Sequence, residues 1–201
     1  MVPATVFGFD PSLPPPATDR VAARQLLAAT PFRDGFDVDF EVRESMASLA
    51  APVARDLAAI GIRARVNALP EDDFLSRLKS GESAMFLLRY SCRSGDAQEL
   101  FDRAFRSRDA ARGFGSAGFS YDVCPVPGLD ETIDEARRTA EPLLRRALLQ
   151  KALARIRQEA LVVPVFNYVT LDFATRGVRW KPRGDGFRLA GEAWVERPRS
   201  R

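Results

Sequence analysis

The order of hydrophobic patterns between residues 36 and 88 constrains the fold of this chain more than any other feature. Apolar and charged residues alternate in the first stretch, which is the period of a strand with one face in water. The successive patterns are a strand at 36–43, a helix at 45–60, a strand at 62–67, a helix at 70–79 and a strand at 84–88. Short helical crossovers join parallel strands. The chain is therefore predicted to be an α/β protein with a mostly parallel β-α-β-α-β sheet and flanking helices.

Polar side chains follow the apolar run at 84–88, which has the composition of a strand buried on both faces. In open α/β sheets, ligands bind outside the carboxyl ends of the strands. We therefore expect a ligand-binding face here, with aromatic side chains added from the glycine-containing loop at 106–120 and its end. The candidate residues are Arg89, Tyr90, Ser91, Cys92, Arg93, Ser94, Asp96, Phe114, Phe119 and Tyr121. The alternative is a solvated loop in which Asp96 only caps a helix and Arg93 lies in water.

The rest of the chain predicts helices, edge strands and an extended start. The predicted features are a proline-rich connector at 1–17, a helix near 129–136, a strong helix at 144–156, an apolar strand at 161–169 and strand fragments near 178–180, 187–189 and 193–195. Arg145 and Arg146 fall on the wet face of the strong helix. The start lacks a signal-peptide pattern, and no apolar run approaches the length of a membrane span.

Composition argues against several classes of function. The 30 basic and 27 acidic residues are mixed, and only 197–201 forms a basic cluster, so no nucleic-acid partner is expected. Histidine is absent, which removes the commonest general base and metal ligand. The glycines at 106–120 lack the spacing of a phosphate-binding loop. We expect a binding protein rather than an enzyme, with no catalytic residue, metal or cofactor.

The cysteines leave one enzymatic alternative open. Arg93 stands beside Cys92 and would lower the pKa of its thiol, as in cysteine nucleophiles. No histidine is present to act as the base for such a nucleophile. A structural thiol, or one paired with Cys124 in an oxidising compartment, is the favoured interpretation.

Short motifs recur from one end of the chain to the other in an order and spacing that is similar to a known family. They are Phe7-Gly-Phe-Asp-Pro11, Asp34-Gly-Phe36, Ala58-Ala-Ile-Gly-Ile62, Ser80-Gly-Glu82, Ile133-Asp-Glu-Ala136, Arg145-Arg-Ala-Leu-Leu-Gln-Lys-Ala152 and Val163-Pro-Val165. The sequence resembles the C-terminal part of the family 5 extracellular solute-binding proteins, the peptide and nickel receptors of ABC importers.

The resemblance implies a periplasmic-binding-protein-like lobe that closes on a peptide or other small polar solute by hinge motion. It implies a hinge at 1–17, a ligand-binding lobe at 18–176, and a return segment with a basic tail at 177–201 whose strands complete a missing first lobe. Trp180, Phe187 and Trp194 are then expected to be less covered than the core. The implied partners are that N-terminal lobe and an importer permease. The full-length protein would be periplasmic, or extracellular and lipid-anchored.

The chain departs from the family pattern at the candidate site. Family members often have Trp where Tyr90 stands, and peptide receptors place an Asp shortly afterwards to pair with the peptide amino group. Here Asp96 takes that role or caps the next helix, whereas Arg93 favours an anion. The family members are also longer and carry a signal peptide, so a truncated lobe with no transport role is the alternative.

Overall fold

The computed structural model describes residues 1–109, 111–115, 126–169, 171–183 and 187–196. The chain divides into two compact units. The first unit comprises Met1–Leu13, Ser91–Phe101 and Gly128–Arg201, and the second comprises Pro14–Tyr90 and Asp102–Pro127. These units differ from the segments 1–17, 18–176 and 177–201 because each is assembled from separate stretches of the chain.

The second unit contains the parallel sheet that the sequence pattern predicts. Its elements are α1 (Arg20–Ala28), β1 (Phe36–Arg43), α2 (Ala47–Ala58), β2 (Ile62–Leu69), α3 (Glu71–Ser80) and β3 (Met85–Leu87). The strand order is β2-β1-β3, and both pairings of β1 are parallel. Phe36 pairs with Ile62 and Phe40 with Met85. The α/β class and the parallel topology are thus confirmed.

The buried strand of this sheet is β1 and not β3. The apolar run at 84–88 predicted a strand buried on both faces, but β3 has only three residues, all half-buried, and pairs on one side within the described sheet. β1 pairs on both sides, and Phe40 and Val42 are 1% and 0% exposed. Local composition was misleading here because the burial of a strand depends on the helices that cover its faces as well as on the strands beside it.

The helices of this unit begin and end near their expected positions. α2 starts after a short 3-10 turn at Glu44–Met46 and contains Pro52, which has no backbone N–H to donate to the helix. Gly35 precedes β1 with a φ of +87°, and a Cβ there would lie 2.1 Å from the carbonyl oxygen of Gly61. Only glycine therefore fits where β1 and β2 start side by side.

The first unit is mainly helical. Its elements are α4 (Ala97–Leu100), α5 (Leu129–Arg138), α6 (Pro142–Gln158), and the two-residue strands β4 (Val178–Arg179) and β5 (Trp194–Val195). Helices α5 and α6 pack together. Their core residues include Leu129, Ile133, Ala136, Leu148, Leu149, Ala152, Leu153 and Ile156. None of the described helices is both long and apolar enough to cross a membrane.

The start of the chain packs into this unit. Val2 and Val6 are 5% and 9% exposed, and the Gln150 side-chain amide donates a 2.8 Å hydrogen bond to the carbonyl of Phe9. The prolines led us to expect an extended connector, whereas the apolar residues between them pack into the core. The proposed role of 1–17 as a hinge stays a prediction.

The segment after α6 is extended and poorly covered. The strand predicted at 161–169 is wrong: these residues form no strand in the structure. Two residue pairs, Val178 with Val195 and Arg179 with Trp194, form an antiparallel ribbon. The expectation for the last aromatic residues is confirmed for Phe187, 53% exposed, and Trp194, 60% exposed.

Candidate functional site

The predicted site residues fall into three places. Arg89 and Tyr90 belong to the second unit, where Arg89 is exposed and Tyr90 half-buried. Ser91, Cys92, Arg93 and Asp96 belong to the first unit, where we call residues 91–96 the binding loop. Phe119, Tyr121 and Cys124 lie outside the described residues. The site is therefore described from the binding loop and its hydrogen bonds to Phe7, Glu99 and Arg145 of the first unit.

Asp96 is committed to contacts inside the protein. One carboxylate oxygen accepts a 2.9 Å hydrogen bond from the Gln98 amide and so caps α4. Arg145 on α6 donates to both carboxylate oxygens, at 2.6 and 3.1 Å, and both side chains are largely covered. A paired, two-point contact of this kind fixes geometry as well as neutralising charge. The helical period predicted that Arg145 is solvent-exposed, and this was wrong because its guanidinium group pairs with Asp96.

Phe7 holds the binding loop from the other side. Its amide donates a 2.8 Å hydrogen bond to the Gly95 carbonyl, and its own carbonyl accepts one of 2.9 Å from the Ala97 amide. The guanidinium groups of Arg145 and Arg146 lie over its ring, at 5.3 and 5.1 Å from the centroid. Phe7 thus joins the backbone of the binding loop to the surface of α6. Sequence reasoning missed this role because the contacts join residues far apart in the chain.

Hydrogen bonds within the binding loop fix its backbone. The Ser94 amide donates to the Glu99 carboxylate at 2.8 Å. The Cys92 thiol lies 3.0 Å from the Asp96 carbonyl, to which it donates. Ser91 and Arg93 remain exposed. Hydrogen bonds therefore fix the backbone of the loop, whereas the Ser91 and Arg93 side chains are exposed to solvent.

Cys92 does not have the electrostatics of a nucleophile. Burial raises the pKa of its thiol above the ordinary value of 9.0; the Ser94 hydrogen bond opposes this shift, and the Glu99 carboxylate adds to it. The alternative in which Arg93 lowers the pKa of this thiol is therefore wrong, since burial and Glu99 raise that pKa. Cys92 is a free thiol in the structure.

Glu41 is a buried charged group that the strand pattern placed on a wet face. It is 1% exposed at the centre of β1. Arg77 on α3 donates to it at 2.6 Å, and the Ser83 hydroxyl also donates to it. These contacts tie β1 to α3 and to the segment before β3, so Glu41 serves the fold of the second unit.

The segment after α6 forms an open cavity of about 490 Å³ in the first unit. Its lining is mainly apolar and includes Phe173, Val178 and Trp180. Asp172 and Arg188 form an ion pair there, at 2.8 Å. Among the residues that the structure describes, no group of three or more acidic or cysteine side chains is placed to hold a metal ion.

Solved structures share this fold. The chain matches HbpA2 from Haemophilus parasuis with a TM-score of 0.77 over 96% of its length, at 21% identity. It matches the periplasmic binding protein DppA from Helicobacter pylori, in complex with the peptide STSA, with a TM-score of 0.69 over 79% of its length, at 22% identity. The chain has the fold of a solute-binding-protein lobe.

A third match extends this likeness over nearly the whole sequence. MoaA from A. tumefaciens R10, in complex with mannopinic acid, has a TM-score of 0.71 over 98% of this chain, at 17% identity. This chain spans 39%, 31% and 41% of the lengths of HbpA2, DppA and MoaA respectively. No family model matches the sequence. No curated protein matches it significantly.

Proposed function

We propose that this chain is the second lobe of the solute-binding component of an ABC-type importer. It would bind a peptide or another small polar solute in the cleft between two lobes. The observation that supports this most is the fold that it shares with HbpA2 over 96% of its length. Two of the matched proteins hold a peptide and mannopinic acid, so the fold accommodates solutes of different chemistry.

The exposed apolar residues after α6 support a partner lobe. Val163, Phe173 and Val195 are 80%, 90% and 72% exposed, which is unusual for large apolar side chains that share one stretch of chain. The chain spans only 39% of HbpA2, so HbpA2 contains further polypeptide beyond the matched part. We propose that this segment packs on a first lobe, and that closure of the two lobes traps the solute.

The proposed partners and location follow from the same role. A solute-binding component delivers its cargo to a membrane permease, and it works on the outer side of the membrane that the solute must cross. The full-length protein would then be periplasmic or held outside the cell by a lipid anchor. We propose no catalytic step, because Cys92, the nucleophile of the enzymatic alternative, has a raised pKa.

The test is ligand-induced stabilisation of the protein as it occurs in its source cells. Thermal unfolding would be followed with small peptides, amino acids, sugar acids and chelated nickel. A solute present at 100 times its dissociation constant adds about 2.7 kcal/mol to the free energy of unfolding. A clear rise in the melting temperature with one solute class is the expected result. Unchanged melting temperatures with every class would contradict a solute-binding role and favour a lobe without one.

A further inference from the structure

The binding loop has no carboxylate to offer a solute. Asp96 caps α4 and pairs with Arg145 through both carboxylate oxygens. Glu99 accepts the Ser94 amide and lies beside the Cys92 thiol. A peptide ammonium group would have to break one of these contacts to be bound here, which leaves a largely covered charge without its partner.

Arg93 is the charged side chain that the binding loop presents outward. It is exposed, and no ion pair or hydrogen bond joins its side chain to another residue in the described part of the chain. The residues on either side are held by hydrogen bonds, so the loop presents this guanidinium from a fixed backbone. Ser91, also exposed, adds a hydroxyl donor on the same loop. A planar guanidinium with several donors suits carboxylate and phosphate oxygens.

We propose that the solute of this lobe is anionic, and that Arg93 binds its carboxylate or phosphate group. The proposal rests on the solute-binding role proposed above and names the chemistry of the solute. Asp96 is then a positioning residue, which acts through the loop backbone, and not the anchor for a peptide amino group. Arg93 then faces the solute, whereas the carboxylates of Asp96 and Glu99 are bonded to groups within the protein.

The experiment uses the protein from its source cells and probes that compare an anion with a neutral analogue. Succinate would be compared with succinamide, gluconate with glucose and phosphate with glycerol by isothermal titration. Trialanine would be compared with its N-acetylated form to test for recognition of an ammonium group. Binding of the best probe would then be measured with Arg93→Gln, Arg93→Lys and Arg176→Gln. Arg176 is a matched control because it is an exposed arginine of the same unit with no side-chain partner in the described residues.

The expected result is that the best probe is anionic and that its neutral counterpart binds at least about tenfold more weakly, as for the loss of a charged hydrogen bond. Arg93→Gln should weaken its binding by a similar factor, Arg93→Lys by less, and Arg176→Gln by nothing measurable. Unchanged melting temperatures of the unliganded variants would show that they fold normally.

Two results would overturn the proposal in different ways. If trialanine binds best and acetylation abolishes its binding, or if Arg93→Gln leaves the affinity of the best probe unchanged, the anionic class is wrong while the solute-binding role stands. If no probe binds and no peptide, amino acid or metal chelate stabilises the protein, the solute-binding role fails, and the anionic class fails with it.

Discussion

At the scale of single residues, Asp96 connects α4, α6 and the binding loop. Its carboxylate caps one helix and pairs with Arg145 of another, and Phe7 bonds to the backbone on both sides of it. The two charges of the pair are 28% and 21% exposed, so solvent screens them only in part. The pair therefore contributes to the folded state of the first unit and to the shape of its loop.

Asp96→Asn should lower the free energy of unfolding by about 1.5–3 kcal/mol, as expected for a lost hydrogen bond to a charged group. The amide keeps one acceptor for the helix cap but leaves Arg145 without its counter-charge. Urea unfolding measures the change. Asp39→Asn is the control, because its pair with Arg65 is largely exposed and its loss should have little effect. Equal effects of the two variants would contradict the role given to Asp96.

Cys92 should react slowly with iodoacetamide at pH 8 in the folded protein, and faster after unfolding, because its pKa is raised in the fold. Glu99→Gln should speed the folded reaction by removing a repelling charge. A Cys124→Ser background restricts the measurement to Cys92. The protonated thiol also favours the folded state below its ordinary pKa of 9.0, and this contribution is lost as the pH rises above that value. Faster reaction of the folded protein would revive the nucleophile hypothesis.

At the scale of elements, the β-α-β-α-β order was predictable because each pattern depends on one strand or helix alone. The two-residue period located β1, and Gly61 marked the start of β2. The position of a strand within the sheet depends on its neighbours, so β3 was wrongly predicted as the buried strand. The Asp96–Arg145 pair was missed for the same reason. The helical period predicts which side of an isolated helix faces solvent, but not which other segment packs there. The change of polarity after Leu88 located the loop at 91–96, and its role in binding stays a prediction.

Arg77→Met should destabilise the second unit by about 3–5 kcal/mol, because it leaves the buried Glu41 carboxylate without its cation. Denaturant unfolding tests this. Arg63→Met is the control, since the Arg63–Asp37 pair is exposed and should matter little. Combining Arg77→Met with Glu41→Leu should restore much of the stability, because an apolar pair needs no counter-charge. A double variant no more stable than Arg77→Met would contradict this account of Glu41.

At the scale of the whole molecule, a lobe fold is joined to a C-terminal segment in which many of the described apolar side chains are exposed. The fold is shared with HbpA2 and MoaA over 96% and 98% of the sequence. The apolar side chains between Val163 and Val195 are exposed to an extent that the helical core of the same unit is not. Both observations support the proposal of one half of a two-lobed solute receptor, which the resemblance to the family 5 solute-binding proteins implied and which stays a prediction.

Native mass spectrometry of the protein from its source cells tests this central claim most directly. The account predicts a species heavier than the 22.3 kDa of this chain, either one longer polypeptide or a stable complex with a second lobe. That species should carry a small anionic solute that is released on unfolding. A free 22.3 kDa polypeptide that carries no solute, and takes up none from the probes above, would contradict the account.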